Sequence, residues 1–296
     1  MLKKIIESGK TFVAPGAYDA LSARIIEMAG FEAIYLTSYG GTGSLLAKAD
    51  MGWLTMTEMV DHVRRISSAV DVPVIADAEQ GYGDAVHIGR TVEEFQKAGA
   101  QAIHIDDEVP MEAKCEFLIP STGLVTKGLP SRRLIPIEEM VGKIKAANDA
   151  KNDDFVIIAR CNLNGTADYH INKLIERSVR YVEAGADMIF SSGSEEDKRI
   201  FAENVKGVPL CTVSSLAAPC SVEEYVEMGY QLIIYASPLM YVAANAVMEA
   251  AARLQKTGSL KSIVDMMITH EQYWDIVRLK EIVEQYDNYV PTSSQD

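Results

Sequence analysis

Lys97-Ala98-Gly99-Ala100-Gln101-Ala102-Ile103-His104-Ile105 closes a helix and opens a strand in one short stretch. Glycine after Lys97-Ala98 supplies the left-handed residue that ends a helix without a Cβ clash. The apolar run that follows is continuous rather than alternating, as expected of a strand buried on both faces. The same design recurs where Met28-Ala29-Gly30-Phe31 leads into Ala33-Ile34-Tyr35-Leu36. It recurs again at Glu183-Ala184-Gly185-Ala186 before Met188-Ile189-Phe190, and at Glu227-Met228-Gly229-Tyr230 before Leu232-Ile233-Ile234-Tyr235. Between these units lie strands of a second type: Thr11-Phe12-Val13-Ala14, Val72-Pro73-Val74-Ile75-Ala76, Phe155-Val156-Ile157-Ile158-Ala159 and Val208-Pro209-Leu210-Cys211. The two types alternate and give eight strands.

Helical signals fill the gaps. Thr91-Val92-Glu93-Glu94 and Ser221-Val222-Glu223-Glu224 have the form of capping boxes, and Met56 to Val70 carries apolar residues at helical spacing. Eight strands alternating with helices predict an α/β fold, a (β/α)8 TIM-type barrel; an open doubly wound sheet is the runner-up. The chain of 296 residues suits one such barrel, expected over residues 1–254. Beyond it, 255–296 reads as a helical extension. These extra C-terminal helices exceed what a barrel unit needs and are expected to exchange between subunits of a homo-oligomer, a dimer or tetramer. The long irregular stretch from Asp106 to Pro136 follows a strand and is expected to form a functional lid.

A net charge of −14 opposes binding to nucleic acid or anionic membrane, so neither is expected as a partner. Cys115, Cys161, Cys211 and Cys220 form no CxxC pair and suit a reducing, cytoplasmic setting. The first residues lack the apolar run of a signal peptide.

In a barrel, polar residues at strand C-termini are the candidates for chemistry. These are Thr37 and Ser38, Asp77 and Glu79, Asp106 and Asp107, Arg160 and Asn162, and Ser191 and Ser192. Converging carboxylates are costly unless protonated or bridged by a cation, and an all-oxygen donor set suits Mg²⁺ or Mn²⁺. Asp107 and Glu108 read equally well as solvated loop residues or caps, and His104 as a hydrogen-bonded core residue.

Asp77-Ala78-Glu79-Gln80-Gly81-Tyr82-Gly83 resembles the D-A-D-T-G-Y-G signature of the phosphoenolpyruvate mutase/isocitrate lyase superfamily. His104-Ile105-Asp106-Asp107-Glu108 resembles its H-I-E-D-Q strand end, and Ile158-Ala159-Arg160 its I-A-R. Pro15-Gly16-Ala17-Tyr18-Asp19-Ala20 and Asp50-Met51-Gly52 match further turns. The resemblance implies that Asp77, Glu79 and Asp106 hold Mg²⁺ directly or through water, with Asp50 nearby. It implies that Arg160, Thr37 and Ser38 bind a 2-oxo or 2-hydroxy acid, with Tyr39 narrowing the pocket. Lyases of this family carry K-K/R-C-G-H on the loop after the fourth strand; here Lys114-Cys115-Glu116-Phe117 keeps the Lys and Cys. Cys115 would then be the proton donor, assisted by Lys114. Ser191-Ser192-Gly193 replaces P-E-A, and Val213-Ser214-Ser215-Leu216 replaces N-x-T-E. The implied activity is a metal-dependent carbon–carbon lyase of the methylisocitrate or dimethylmalate type. The alternatives are phosphonopyruvate or oxaloacetate chemistry at the same metal, and a catalytically silent metabolite-binding barrel.

Overall fold

The computed structural model describes residues 1–109, 133–163, 166, 168–216 and 219–289. Eight parallel strands close on themselves in sequence order: β1 (Phe12–Ala17), β2 (Ile34–Leu36), β3 (Val74–Asp77), β4 (Ala102–Asp106), β5 (Val156–Cys161), β6 (Met188–Ser191), β7 (Leu210–Val213) and β8 (Leu232–Tyr235). The (β/α)8 architecture expected from the strand rhythm is the one observed. Gly30, Gly99, Gly185 and Gly229 all have φ between 88° and 100°, the left-handed helix ends that the rhythm required.

Two apolar layers follow from the pleat, because successive side chains leave a strand on opposite faces. The inner layer fills the barrel with Phe12, Ala14, Tyr35, Ile75, Ala102, Val156, Ile158, Met188, Phe190, Cys211, Leu232 and Ile234. The outer layer packs Leu36, Ile103, Ile105, Ile157, Ile189 and Ile233 against the helices. Helix α1 (Leu2–Glu7), unforeseen in the sequence, places the fully buried Leu2 in the inner layer and so stoppers the N-terminal end. At the opposite end β1 meets the residue after β8 so closely that a Cβ on Gly16 would lie 1.8 Å from the Ala236 carbonyl oxygen. Only glycine lets the barrel close there.

The surrounding helices are α2 (Ala20–Met28), α3 (Ser38–Leu46), α4 (Met56–Ser67), α5 (Ala85–Lys97), α6 (Ile137–Ala150), α7 (Ile171–Glu183), α8 (Glu195–Asn204) and α9 (Val222–Met228). Ser221 and Glu224 form the expected capping box of α9. Thr91 is a correction: it lies inside α5, whose cap is Asp84, and its hydroxyl donates to the Gly81 carbonyl oxygen at 2.8 Å. The pattern matched a box, but Thr91 points inward and serves the turn after β3.

The chain ends in α10 (Pro238–Thr257), α11 (His270–Ile276) and α12 (Leu279–Tyr289), none of which buries a residue. Val242, Val247, Met248, Leu260, Val264 and Tyr286 are each at least 61% exposed. No helix among the described residues is long and apolar enough to cross a membrane.

Candidate active site

The C-terminal ends of β2 to β5 carry a buried polar cluster. Asp77 ends β3 and pairs in register with His104 of β4, while Asp106 pairs with Arg160 of β5. Alternation therefore turns all four side chains into the mouth of the barrel. Oxygen atoms of Asp77 and Asp106 and a ring nitrogen of His104 lie within 4.8 Å of one another, a group able to hold a metal ion.

His104 is both the buried, hydrogen-bonded residue expected and a member of this cluster. Its Nδ1 lies 2.9 Å from Asp106 Oδ1, and its Nε2 lies 2.7 Å from the Tyr35 hydroxyl and 3.4 Å from Asp77 Oδ1. One tautomer, inferred from these partners, satisfies the ring: Nδ1–H donates to Asp106 while Tyr35 donates to Nε2. Burial pushes the Tyr35 phenol well up, with Asp77 adding to it, so the hydroxyl keeps its proton. With its lone pair taken, His104 orients Asp106 rather than offering itself as a ligand, leaving carboxylate oxygens as the donors. That donor chemistry fits a hard divalent ion.

The turn after β3 is built around Asp77. Its Oδ1 accepts from Glu79 N at 2.9 Å, and its Oδ2 accepts from the Ser38 hydroxyl at 2.8 Å and Ser38 N at 3.3 Å. Glu79 has φ 54°, a left-handed conformation that costs a non-glycine residue about 1 kcal/mol. The turn allows the Glu79 carbonyl oxygen to accept from Asp106 N at 2.7 Å, joining the ends of β3 and β4. Lys143, buried on α6, donates from Nζ to the Gln80 carbonyl oxygen at 2.9 Å and holds the turn from outside. The Glu79 side chain is buried too, but its carboxylate is outside the 4.8 Å group.

Thr37 and Ser38 form the start of α3, a helix that the Gly-rich stretch after β2 did not announce. Thr37 is its cap, accepting from Tyr39 N at 3.2 Å. Ser38 bridges Asp77 to Asp50 Oδ2, the latter at 3.2 Å. Tyr39 points toward the tail, its hydroxyl 2.7 Å from that of Tyr241 on α10. Arg160 lies 3.5 Å from Asp106 Oδ2, with its guanidinium carbon 4.6 Å from the centre of the Phe190 ring. Lys114 and Cys115 lie outside the described residues, as does most of the stretch expected to form a lid. Its two ends are clasped: Val109 N donates to the Arg133 carbonyl oxygen at 2.9 Å, and Ile135 N to that of Asp107 at 2.9 Å.

Asp107 resolves differently from its neighbour. It is fully buried and faces the helices, accepting from Arg177 Nε at 2.9 Å, the Tyr181 hydroxyl at 2.7 Å and Asn162 N at 2.9 Å. Burial, and then the Asp107 charge, push the Tyr181 phenol far up, so it remains a donor. Sequence alone left Asp107 open; the strand register makes it a brace between β4, β5 and α7.

The family model for phosphoenolpyruvate phosphomutase matches residues 2–255. The chain belongs to that family. Among its relatives in the phosphoenolpyruvate phosphomutase family, 2,3-dimethylmalate lyase of Eubacterium barkeri is 39% identical over 294 residues, covering 97% of this chain and 96% of that protein. A 2-methylisocitrate lyase of Aeropyrum pernix is 35% identical, covering 94% and 86%. The crystal structure of a phosphonopyruvate hydrolase in complex with oxalate and Mg²⁺ superposes with a TM-score of 0.86 at 27% identity, covering 97% of each chain. The relatives named as lyases point to a carbon–carbon lyase enzyme.

Proposed function

We propose that this member of the phosphoenolpyruvate phosphomutase family cleaves a 2-hydroxy (di)carboxylic acid into a 2-oxo acid and a carboxylate fragment, using Mg²⁺ or Mn²⁺. The observation that carries the reading is the buried pair Asp77 and Asp106 at the barrel mouth beside Arg160. Asp77 and Asp106 would hold the ion directly and Glu79 through water. When bound, such an ion stabilises negative charge on the substrate's C2 oxygen. Arg160, fixed over Phe190 and against Asp106, presents its guanidinium to the carboxylate of the oxo-acid half. Thr37 and Ser38 start α3 beside that half, Asp50 steadies Ser38, and Tyr39 walls the pocket. Cys115 delivers a proton to the carbon that leaves after the C2–C3 bond breaks, and Lys114 stabilises the resulting thiolate.

The test is release of pyruvate or glyoxylate from a panel of branched and unbranched malates, with Mg²⁺ and then with EDTA. We expect release only with the metal, and loss of turnover in Cys115→Ser. Metal-bound protein that releases no oxo acid sinks the lyase reading. A second reading, phosphonopyruvate or oxaloacetate chemistry, is favoured by β7 ending at Val213, where its lyase relatives are expected to place polar contacts, and by the likeness to a phosphonopyruvate hydrolase. Phosphate release from phosphonopyruvate would establish it.

The apolar faces of α10 to α12 support assembly into a homo-oligomer through the C-terminal helices. Sedimentation equilibrium is expected to give a dimer or tetramer that Met248→Glu weakens; a monomeric wild type would overturn this. The thiols of Cys161, Cys211 and Cys220 are unbridged and suit a cytoplasmic setting.

A further inference from the structure

Asn162 stands two residues beyond Arg160, immediately after β5. Cys161 and Leu163 on either side of it belong to the outer core between barrel and helices. Alternation therefore turns Asn162, like Arg160, toward the inside of the barrel mouth. It is 0% exposed, and among the described residues neither its amide nitrogen nor its amide oxygen has a hydrogen-bond partner. Its backbone is nonetheless fixed, with the N–H donating to Asp107 Oδ1 at 2.9 Å. A buried primary amide with both halves unmet is rare in a folded protein, and the usual explanation is a ligand or water that completes it.

We propose that Asn162 is a substrate-contacting, specificity-determining residue that hydrogen-bonds the distal carboxyl group of the acid, on the half that leaves. The inference rests on the lyase reading above. Two residues along a strand advance by about 6.6 Å. With Arg160 on the oxo-acid carboxylate next to Asp106, Asn162 reaches the part of the substrate farther from the metal. The amide is neutral, so its N–H donates to a carboxylate oxygen without adding charge to an acidic site, and its oxygen accepts from a hydroxyl or a water carried on that group. β7 turns the apolar Val213 toward the inner core at the corresponding height, so β5 takes over the distal end of the substrate.

The experiment compares wild type, Asn162→Leu and Asn162→Asp in the intact, metal-loaded enzyme. Oxalate serves as a competitive probe that reproduces only the metal-proximal half of a substrate. Asn162→Leu is expected to lower kcat/KM for a dicarboxylic malate about ten- to a hundredfold while leaving the inhibition constant of oxalate unchanged. Asn162→Asp keeps the size and adds a charge, so it is expected to lose more on dicarboxylates than on their distal monoamides. An unchanged kcat/KM in the leucine variant overturns the proposal, and so does a parallel loss of oxalate affinity, which would make Asn162 a support for the metal site. Equal losses of the aspartate variant on acids and amides overturn it as well. A wild type that cleaves no malate sinks the lyase reading separately. Calorimetric affinities of the same variants for phosphonopyruvate against oxalate then decide Asn162 by the same criterion.

Discussion

Asp106→Ala is expected to lower kcat/KM by about a thousandfold or more, because a bound metal ion would stabilise the oxyanion and so lower the barrier by several kcal/mol. The circular dichroism spectrum and melting temperature should change little by comparison. Asp106 accepts from His104 Nδ1, lies 3.5 Å from Arg160, and contributes an oxygen to the group of side chains able to hold a metal ion. Removing it disturbs the proposed ion and the carboxylate clamp together. Asp106→Asn separates charge from shape: it keeps the volume, removes the negative charge, and gives His104 a neutral partner. Titration of Mn²⁺ into each variant, followed by electron paramagnetic resonance, should report weakened binding in both. Turnover within about tenfold of wild type, a loss too small for a ligand of the ion, would remove Asp106 from the proposed metal set.

The barrel was legible in the sequence because its cause is local and repeated. A strand buried on both faces must be apolar throughout, and a helix that turns tightly into it needs a left-handed residue. Met28-Ala29-Gly30 and Lys97-Ala98-Gly99 state both conditions, and the structure meets them. Helix α3 was not legible, since Gly40, Gly41 and Gly43 each disfavour a helix by about 1 kcal/mol. Close packing explains two of those glycines: a Cβ on Gly40 would lie 3.0 Å from Thr37 and 3.1 Å from Tyr18, and one on Gly41 would lie 3.2 Å from Leu54. Tertiary fit has overridden propensity there. Thr91 misled for the opposite reason, its box pattern being present without a helix start.

The candidate site was legible as a set of strand ends but not as a network. Which way a strand-end side chain points depends on register, and a one-residue shift exchanges the faces. Asp106 and Asp107 are indistinguishable by type, yet one faces the mouth and the other the helices. His104 reads as a core residue and is one, but its two nitrogens also hold Asp106 and Tyr35 in place. No spacing rule foretells a buried amide without partners among the described residues, as at Asn162; only the surroundings reveal it.

Asp107→Ala is expected to do what Asp106→Ala does not: destabilise the fold by about 3–5 kcal/mol, the usual cost of stripping one partner from a buried ion pair. Asp107 is fully buried, and the Arg177 side chain that meets it is 12% exposed. Without the carboxylate, the Arg177 guanidinium is left low in dielectric, the Tyr181 hydroxyl loses its acceptor, and Asn162 N loses its anchor. For a chain of this size the melting temperature should fall by about 5–10 °C. Arg177→Met alone is expected to do similar damage by leaving Asp107 unpaired, although Tyr181 and Asn162 N still support it. The double substitution Asp107→Leu with Arg177→Met should recover much of the loss, since a desolvated pair is often replaceable by apolar packing. Additive losses in the double variant would mean that the two residues act separately and that the brace is not a pair. A single Asp107 variant within about 0.5 kcal/mol of wild type would place Asp107 among ordinary surface positions. Two neighbouring aspartates thus have opposite signatures, one read in turnover at an unchanged melting temperature and the other in stability first.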